Sequence, residues 1–231
     1  MNILAIDTST EYLSLGLQVG SEQSYILEQV GNKQSNFVIP KIQELLKQNS
    51  IAVKDIDFVA YNQGPGSFTG LRIGLSVSLG ITLGLHTKII PIPAFALYAQ
   101  SVLGKTKHNK VLIGLDARLN QMYLSGIELD TFKYFIEPQL LDPKEMNLEQ
   151  NYDMLCIGSG FKVFNDVLNS NIKQLEFIDS TYPNALNMLQ LVNDGRYAPV
   201  ALEYADLLYL RNKVALTLEE QKQAKKCKNS F

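Results

Sequence analysis

The sequence predicts an α/β protein of two related lobes, each a mixed sheet flanked by helices. Two repeats carry this. An apolar strand ending in Asp, a polar turn and an alternating strand occur at "NILAIDTSTEYLSLGLQVG" and again at "KVLIGLDARLNQMYLSGIELD" (110–130), so Asp116 repeats Asp7. An apolar strand running into a Gly-rich segment and a helix occurs at "DIDFVAYNQGPGSF" and again at "DMLCIGSGFKVFNDVL" (153–168). Strands that meander antiparallel and then continue through helical crossovers give a mixed sheet. The polar segment "GKTKHNK" (104–110) separates the copies. This predicts lobes at 1–106 and 107–231, with the final segment packing back on the first lobe.

Each element has a local reason. Leu13, Leu15, Leu17 and Val19 alternate with Ser14, Gly16 and Gln18, the period of a half-buried strand. "SYILEQV" extends the meander. In "NFVIPKIQELLKQN", Val38, Ile42, Leu45 and Leu46 fall on one helical face, and Pro40 is tolerable only near the first turn. "IDFVAYN" and "KIIPI" read as short apolar strands, and "AFALYAQSVL" as a helix.

Composition narrows the class. The 231 residues are 46% hydrophobic and 19% charged, ordinary for a globular protein with a substantial core. No uninterrupted apolar run of about 18 residues predicts a membrane span. The start "MNILAIDTST" lacks a basic segment, and Asp7 breaks its apolar run, so it does not read as a signal peptide. Two cysteines, Cys156 and Cys227, are too few for a disulfide framework or a structural zinc site, which makes a reducing cytoplasm the default. A net charge of −2 argues against a protein that grips nucleic acid on its own. The one basic excess is the tail, with Lys222, Lys225, Lys226 and Lys228, which reads as a solvated terminus.

The densest run of small residues is "NQGPGSFTGLRIG" (62–74). Pro65-Gly66 suits the centre of a type II turn, and Ser67 or Thr69 can cap a following helix. From Leu71 to Leu85 apolar residues alternate with small or polar ones. The run is too long and too glycine-rich for a strand. On a helix it makes two apolar stripes, 71/75/79/83 and 73/77/81/85, facing roughly opposite ways. Such a helix is buried on two sides and can be approached closely along Gly70, Gly74 and Ser78. The loop fits neither G-x-x-x-x-G-K-[ST] nor G-x-G-x-x-G. Two readings stay open here: a turn that serves tight helix packing, and an anion site at a helix N-terminus.

"ILAIDTSTE", "GPGSFTGLRIG" (64–74), "LDARLNQMY" (115–123) and "LYLRNKVA" (208–215), in this order and spacing, resemble the TsaB (YeaZ) family of bacterial tRNA-modification proteins. The resemblance spans essentially the whole chain and is densest in the first half. It implies an actin-like ATPase fold of the ribonuclease H-like class. It implies a non-catalytic subunit that binds and activates the catalytic paralogue TsaD. The small ATPase TsaE joins them, and threonylcarbamoyl passes from threonylcarbamoyl-AMP to the tRNA adenosine 3′ of the anticodon. tRNA is then met only through the complex. The helices at 36–48 and 67–85 would meet TsaD, through Ile42 and Leu45 of the first and through Gly66, Ser67, Phe68, Thr69, Gly70, Leu71, Arg72, Gly74 and Ser78 at the second. Two positions depart from the family: Gln34, where a His is frequent, and Gln63, where an Arg is.

In actin-like ATPases the Asp after the first strand serves Mg²⁺ or water, and the next hydroxyls bind phosphate. Asp7, Thr8 and Ser9 fit by type, and Gly158 and Gly160 could approach a nucleotide from the second lobe. The other reading is that Asp7 and Thr8 simply close a turn. No firm cofactor follows, and Mg-ATP or ADP is placed at the complex interface. A stand-alone actin-like kinase of small molecules is the alternative. His86 and His108 are the only histidines and no H-x-x-x-H occurs, so neither a metal site nor a nucleophile triad is expected. A surface shaped for a paralogue can pair with itself, which predicts a weak homodimer through the same helices.

Overall fold

The structure is a computed structural model that describes residues 1–146, 154–168, 176–178 and 184–211. The Lys-rich tail, Cys227 and the end of the "LYLRNKVA" motif lie outside the described residues.

The first sheet is built from β1 (Asn2–Asp7), β2 (Tyr12–Val19), β3 (Glu22–Gln29), β4 (Phe58–Gly64) and β5 (Lys88–Pro93), in the order β3-β2-β1-β4-β5. The first three strands run antiparallel; β4 and β5 join parallel to β1. The second sheet contains β6 (Lys110–Asp116), β7 (Met122–Glu128), β8 (Tyr134–Leu141), β9 (Leu155–Ile157) and β10 (Glu176–Ile178), in the order β10-β9-β6-β7-β8. Read from the other edge, this is the same arrangement, again antiparallel within the meander and parallel beyond it. Two mixed sheets of identical strand order are the α/β architecture of two related lobes expected from the repeat.

Strand alternation divides the first core into two layers. Leu4 and Ile6 point toward α1 (Gln34–Gln48) and meet Val38, Ile42, Leu45 and Leu46. Ile3 and Ala5 point the other way, toward α3 (Ala94–Val102) and α6 (Ala185–Asn193). Every residue of α3 is buried, because Ala96 and Leu97 pack on the first sheet while Phe95, Tyr98 and Val102 pack on the second. Between β9 and β10 stand α4 (Ser159–Val163) and α5 (Asn165–Leu168). Helix α6 comes late in the chain but covers the first sheet. Its Asn184 cap receives the Leu186 and Asn187 amides, and its Ala185 amide donates to Ser14 Oγ at 2.8 Å.

Two local expectations are corrected. Helix α1 starts at Gln34, so Pro40 lies in its second turn. Pro40 sits on the exposed side, where a missing amide leaves a carbonyl that water can serve. The turn before α2 (Phe68–Leu85) is not type II. Gly64, not Gly66, has the left-handed backbone, at φ 103°, and the Gly64–Pro65 peptide is cis. Helix α2 also has the length and mean hydropathy, 1.4, of a membrane-crossing helix, although no apolar run in it is unbroken. It lies against the chain's own sheet.

Candidate functional site

Helix α2 sits on the turn after β1, and its small residues let it do so. Its buried stripe is Gly70, Gly74, Ser78 and Thr82, and this stripe faces inward. A side chain at Gly70 would collide with the Thr8 carbonyl oxygen. A Cβ at Gly74 would come within 2.7 Å of Thr8 Oγ1, and one at Gly66 within 2.8 Å of Ser9 Cβ. The Ser67 hydroxyl caps the helix, accepting from the Gly70 amide at 3.3 Å. At the far end His86 takes the left-handed cap position, φ 53°.

Hydrogen bonds tie the turn to the helix. Thr8 Oγ1 donates to the Gly70 carbonyl at 2.7 Å, and the Ser67 amide donates to the Ser9 carbonyl at 2.8 Å. Asp7 Oδ1 accepts from the Ser9 amide at 2.8 Å. Asn62, at the end of β4, donates through Nδ2 to Asp7 Oδ2 at 3.1 Å and to Ser9 Oγ at 2.9 Å, while its Oδ1 accepts from the Gly64 amide at 2.8 Å. Asp7, Thr8, Ser9 and Asn62 are all buried. Burial pushes the Asp7 carboxyl above the usual range, against the opposing hydrogen bonds from Ser9 and Asn62.

The same geometry recurs in the second lobe. Asp116 Oδ1 accepts from the Arg118 amide at 2.8 Å, two residues on, as Asp7 does from Ser9. Gly158 and Gly160 are buried against β6. A Cβ at Gly158 would collide with the Gly114 carbonyl oxygen, and one at Gly160 would lie 2.7 Å from Met122 Sδ.

These contacts do not fit a nucleotide. The Ser9 amide that would hold a phosphate is given to Asp7. The Ser67 amide at the mouth of α2 is given to Ser9. The space beside Gly158 and Gly160 is filled by Gly114 and Met122. Asp7 is sealed under Asn62 and the helix rather than presented to a metal. Among the described residues no cluster of three metal-ligating side chains occurs. Cys156 is buried, and desolvation raises its thiol to about 12, so it is no nucleophile at neutral pH.

The structure also redistributes the expected partner residues. Gly70, Gly74 and Ser78 face the chain's own turn and sheet, and Gly66 is exposed although a Cβ there would meet Ser9, so a bulky residue at Gly74 would disturb this fold first. Ile42, Leu45 and Leu71 are core. Ser67, Phe68, Thr69 and Arg72 are exposed, at the N-terminal end of α2. Phe68, Thr69 and Arg72 form with α1 an open groove of about 390 Å³, whose walls also include Val38, Ile39, Ile73 and Val77. Ile39 and Phe68 are half exposed.

Asn62, Ile39 and Tyr209 were not legible as site residues. Tyr209 belongs to segment 200–211, which makes one 3-10 turn at Leu202–Tyr204, crosses the first lobe and reaches the second. Val200 bridges to Ile89, the Tyr61 hydroxyl donates to the Asp206 carbonyl at 2.7 Å, and the Leu208 amide donates to the Gln63 carbonyl at 2.8 Å. Arg211 Nη2 then donates to the Ala117 carbonyl at 2.8 Å and the Arg118 carbonyl at 3.4 Å. The leucines and tyrosines of "LEYADLLYL" signal an apolar segment, but not what it covers.

Comparison with known proteins agrees with the geometry. The family described as "TsaD: tRNA N6-adenosine threonylcarbamoyltransferase" matches residues 28–227. The tRNA threonylcarbamoyladenosine biosynthesis protein TsaB of Haemophilus influenzae is 30% identical over 228 residues, covering 93% of this chain and 95% of the relative. The Escherichia coli protein of the same name is 29% identical over 227 residues, covering 93% and 96%. The structure of YeaZ from Pseudomonas aeruginosa superposes with a TM-score of 0.78 at 24% identity, covering 90% of this chain and 99% of that one. A whole-chain match to these relatives, the repeated five-stranded sheets and the glycine-fitted helix α2 place the chain in the TsaB (YeaZ) family, whose members take part in forming threonylcarbamoyladenosine on tRNA.

Proposed function

We propose that this protein is a non-catalytic subunit that docks on and activates the TsaD-type transferase of its own organism, with TsaE as a further component. In that complex threonylcarbamoyl passes from threonylcarbamoyl-AMP to the tRNA adenosine 3′ of the anticodon, and tRNA is met only through the assembly. The cytoplasm is the compartment this role requires. The observation that carries the reading is the exposed groove between α1 and α2, beside a β1 turn whose polar groups are already paired. A chain with a filled turn and an open apolar face is suited to binding a protein rather than to turning over a substrate.

The closed turn also argues against a stand-alone small-molecule kinase. Any dependence on Mg-ATP or ADP then belongs to the interface with the other subunits. Size-exclusion chromatography with light scattering, on this chain mixed with the TsaD-type subunit, tests the reading. A discrete heteromeric peak is expected, abolished by Ile39→Asp. No complex with or without Mg-ATP would refute it.

A further inference from the structure

The outer end of α2 and the crossing segment 200–211 share one cluster. Arg72 lays its guanidinium over the Phe68 ring, 3.7 Å from the centroid, and its Nε donates to the Tyr209 hydroxyl at 3.2 Å. The Phe68 and Tyr209 rings are 6.2 Å apart and tilted by 51°. Phe68 is 49% exposed and Tyr209 48%. Hydrogen bonds on either side hold Tyr209 in place: Leu208 to Gln63 before it, and Arg211 to the Ala117 and Arg118 carbonyls after it. Two exposed aromatics around an arginine, already ordered, are what interface anchors look like.

The charge of the cluster identifies its occupant. Arg72 makes no ion pair among the described residues, and its Nε is its only recorded hydrogen-bond donor there. Helix α2, from Phe68 to Leu85, carries no acidic residue. Helix α1 carries Glu44 alone, and Lys41 holds it at 3.0 Å. A second copy of this chain, meeting helix to helix, therefore brings Arg72 only Glu44, which Lys41 already pairs. The apolar groove walls continue from Phe68 to Ile73 and Val77.

We infer that the docking surface extends beyond the two helices onto the crossing segment. Its anchor is Phe68–Arg72–Tyr209, which takes a carboxylate set beside an apolar ridge on the partner subunit. This rests on the function proposed above. Arg72 supplies the paired charge through its Nη atoms, and the two rings exclude water around it.

Isothermal titration of the full chain against that subunit, at low and moderate salt, tests it with four variants. Melting curves first confirm that each variant is folded. Ile39→Asp, on the α1 wall of the groove, is expected to abolish binding. Tyr209→Ala and Arg72→Gln are expected to weaken it by about tenfold, and Tyr209→Phe by less. Arg72→Gln should also flatten the salt dependence, because a carboxylate pair is screened and an apolar contact is not. If Ile39→Asp abolishes binding while Tyr209→Ala and Arg72→Gln bind like the wild type, the anchor is wrong and the groove stands. An unaltered salt dependence in a weakened Arg72→Gln complex would overturn the carboxylate. Wild-type binding by Ile39→Asp would overturn the groove and the anchor together.

Discussion

Thr8 and Gly70 are joined at 2.7 Å, hydroxyl to carbonyl, and no side chain fits between them. This contact sets the distance between the β1 turn and α2. Gly70→Ala drives a methyl into the Thr8 carbonyl, and the backbone on both sides is held. Loss of about 2–3 kcal/mol is expected, the range for overpacking a tight site. Thr8→Val removes the hydroxyl from a carbonyl that keeps its helical donor, a loss of about 0.5–1.5 kcal/mol. Urea unfolding of the isolated chain measures both, without any partner.

Asp7 gives the fold a pH dependence of unusual sign. Burial raises its carboxyl above 3.8, outweighing the hydrogen bonds from Ser9 and Asn62. The native state therefore binds this proton more tightly than the unfolded chain. The stabilisation from this group is complete below the unfolded value and is lost as pH rises through the raised native one. Asp7→Asn cannot ionise. Its urea midpoint relative to the wild type is expected to climb as pH rises from acid toward neutral. A constant difference between the two proteins would show that the fold leaves the Asp7 pKa where it stands in the unfolded chain.

The fold was legible because the strand order is written twice. Both meanders announce themselves through an Asp-ended strand and a period-two partner, and the parallel strands β4 and β9 through a glycine-rich exit. The small-residue stripe of α2 was legible as a close approach but not as to what approaches. Gly70, Gly74 and Ser78 could equally face a second subunit or the chain's own turn, and only the position of Thr8 decides. Asn62 was hidden because a single Asn at a strand end carries no periodicity. Tyr209 was hidden because its contacts lie 137 residues away, at Arg72.

Arg211 fastens the crossing segment to an unusual turn. Arg118, Leu119 and Asn120 are all left-handed, with φ of 61°, 53° and 58°. Three such residues in a row are held only by their surroundings. Arg211 accepts that role by donating to the two carbonyls at the start of the turn. Arg211→Ala is expected to speed amide exchange at residues 117–121 by about tenfold or more, since a hydrogen bond from a charged group contributes about 1.5–3 kcal/mol. Exchange confined to the segment near Val200 and Ile89 should stay as in the wild type. Unchanged exchange in the turn would mean the turn holds its own shape.

Self-association supplies the sharpest contrast with partner binding. A weak homodimer through α1 and α2 is expected, since the groove is apolar and open. In the same pairing the helices offer Arg72 only Glu44, which Lys41 holds, and a symmetric contact at Arg72 would set it against its own copy. Like charges facing each other oppose association. Removing the charge should therefore act in opposite directions on the two complexes. Arg72→Gln is expected to tighten the homodimer by roughly fivefold, about 1 kcal/mol, while weakening the complex with the TsaD-type subunit. Sedimentation velocity over a range of concentrations reads the first and titration the second. If Arg72→Gln weakens both, the arginine serves self-pairing as well, and the groove does not discriminate between its partners by charge.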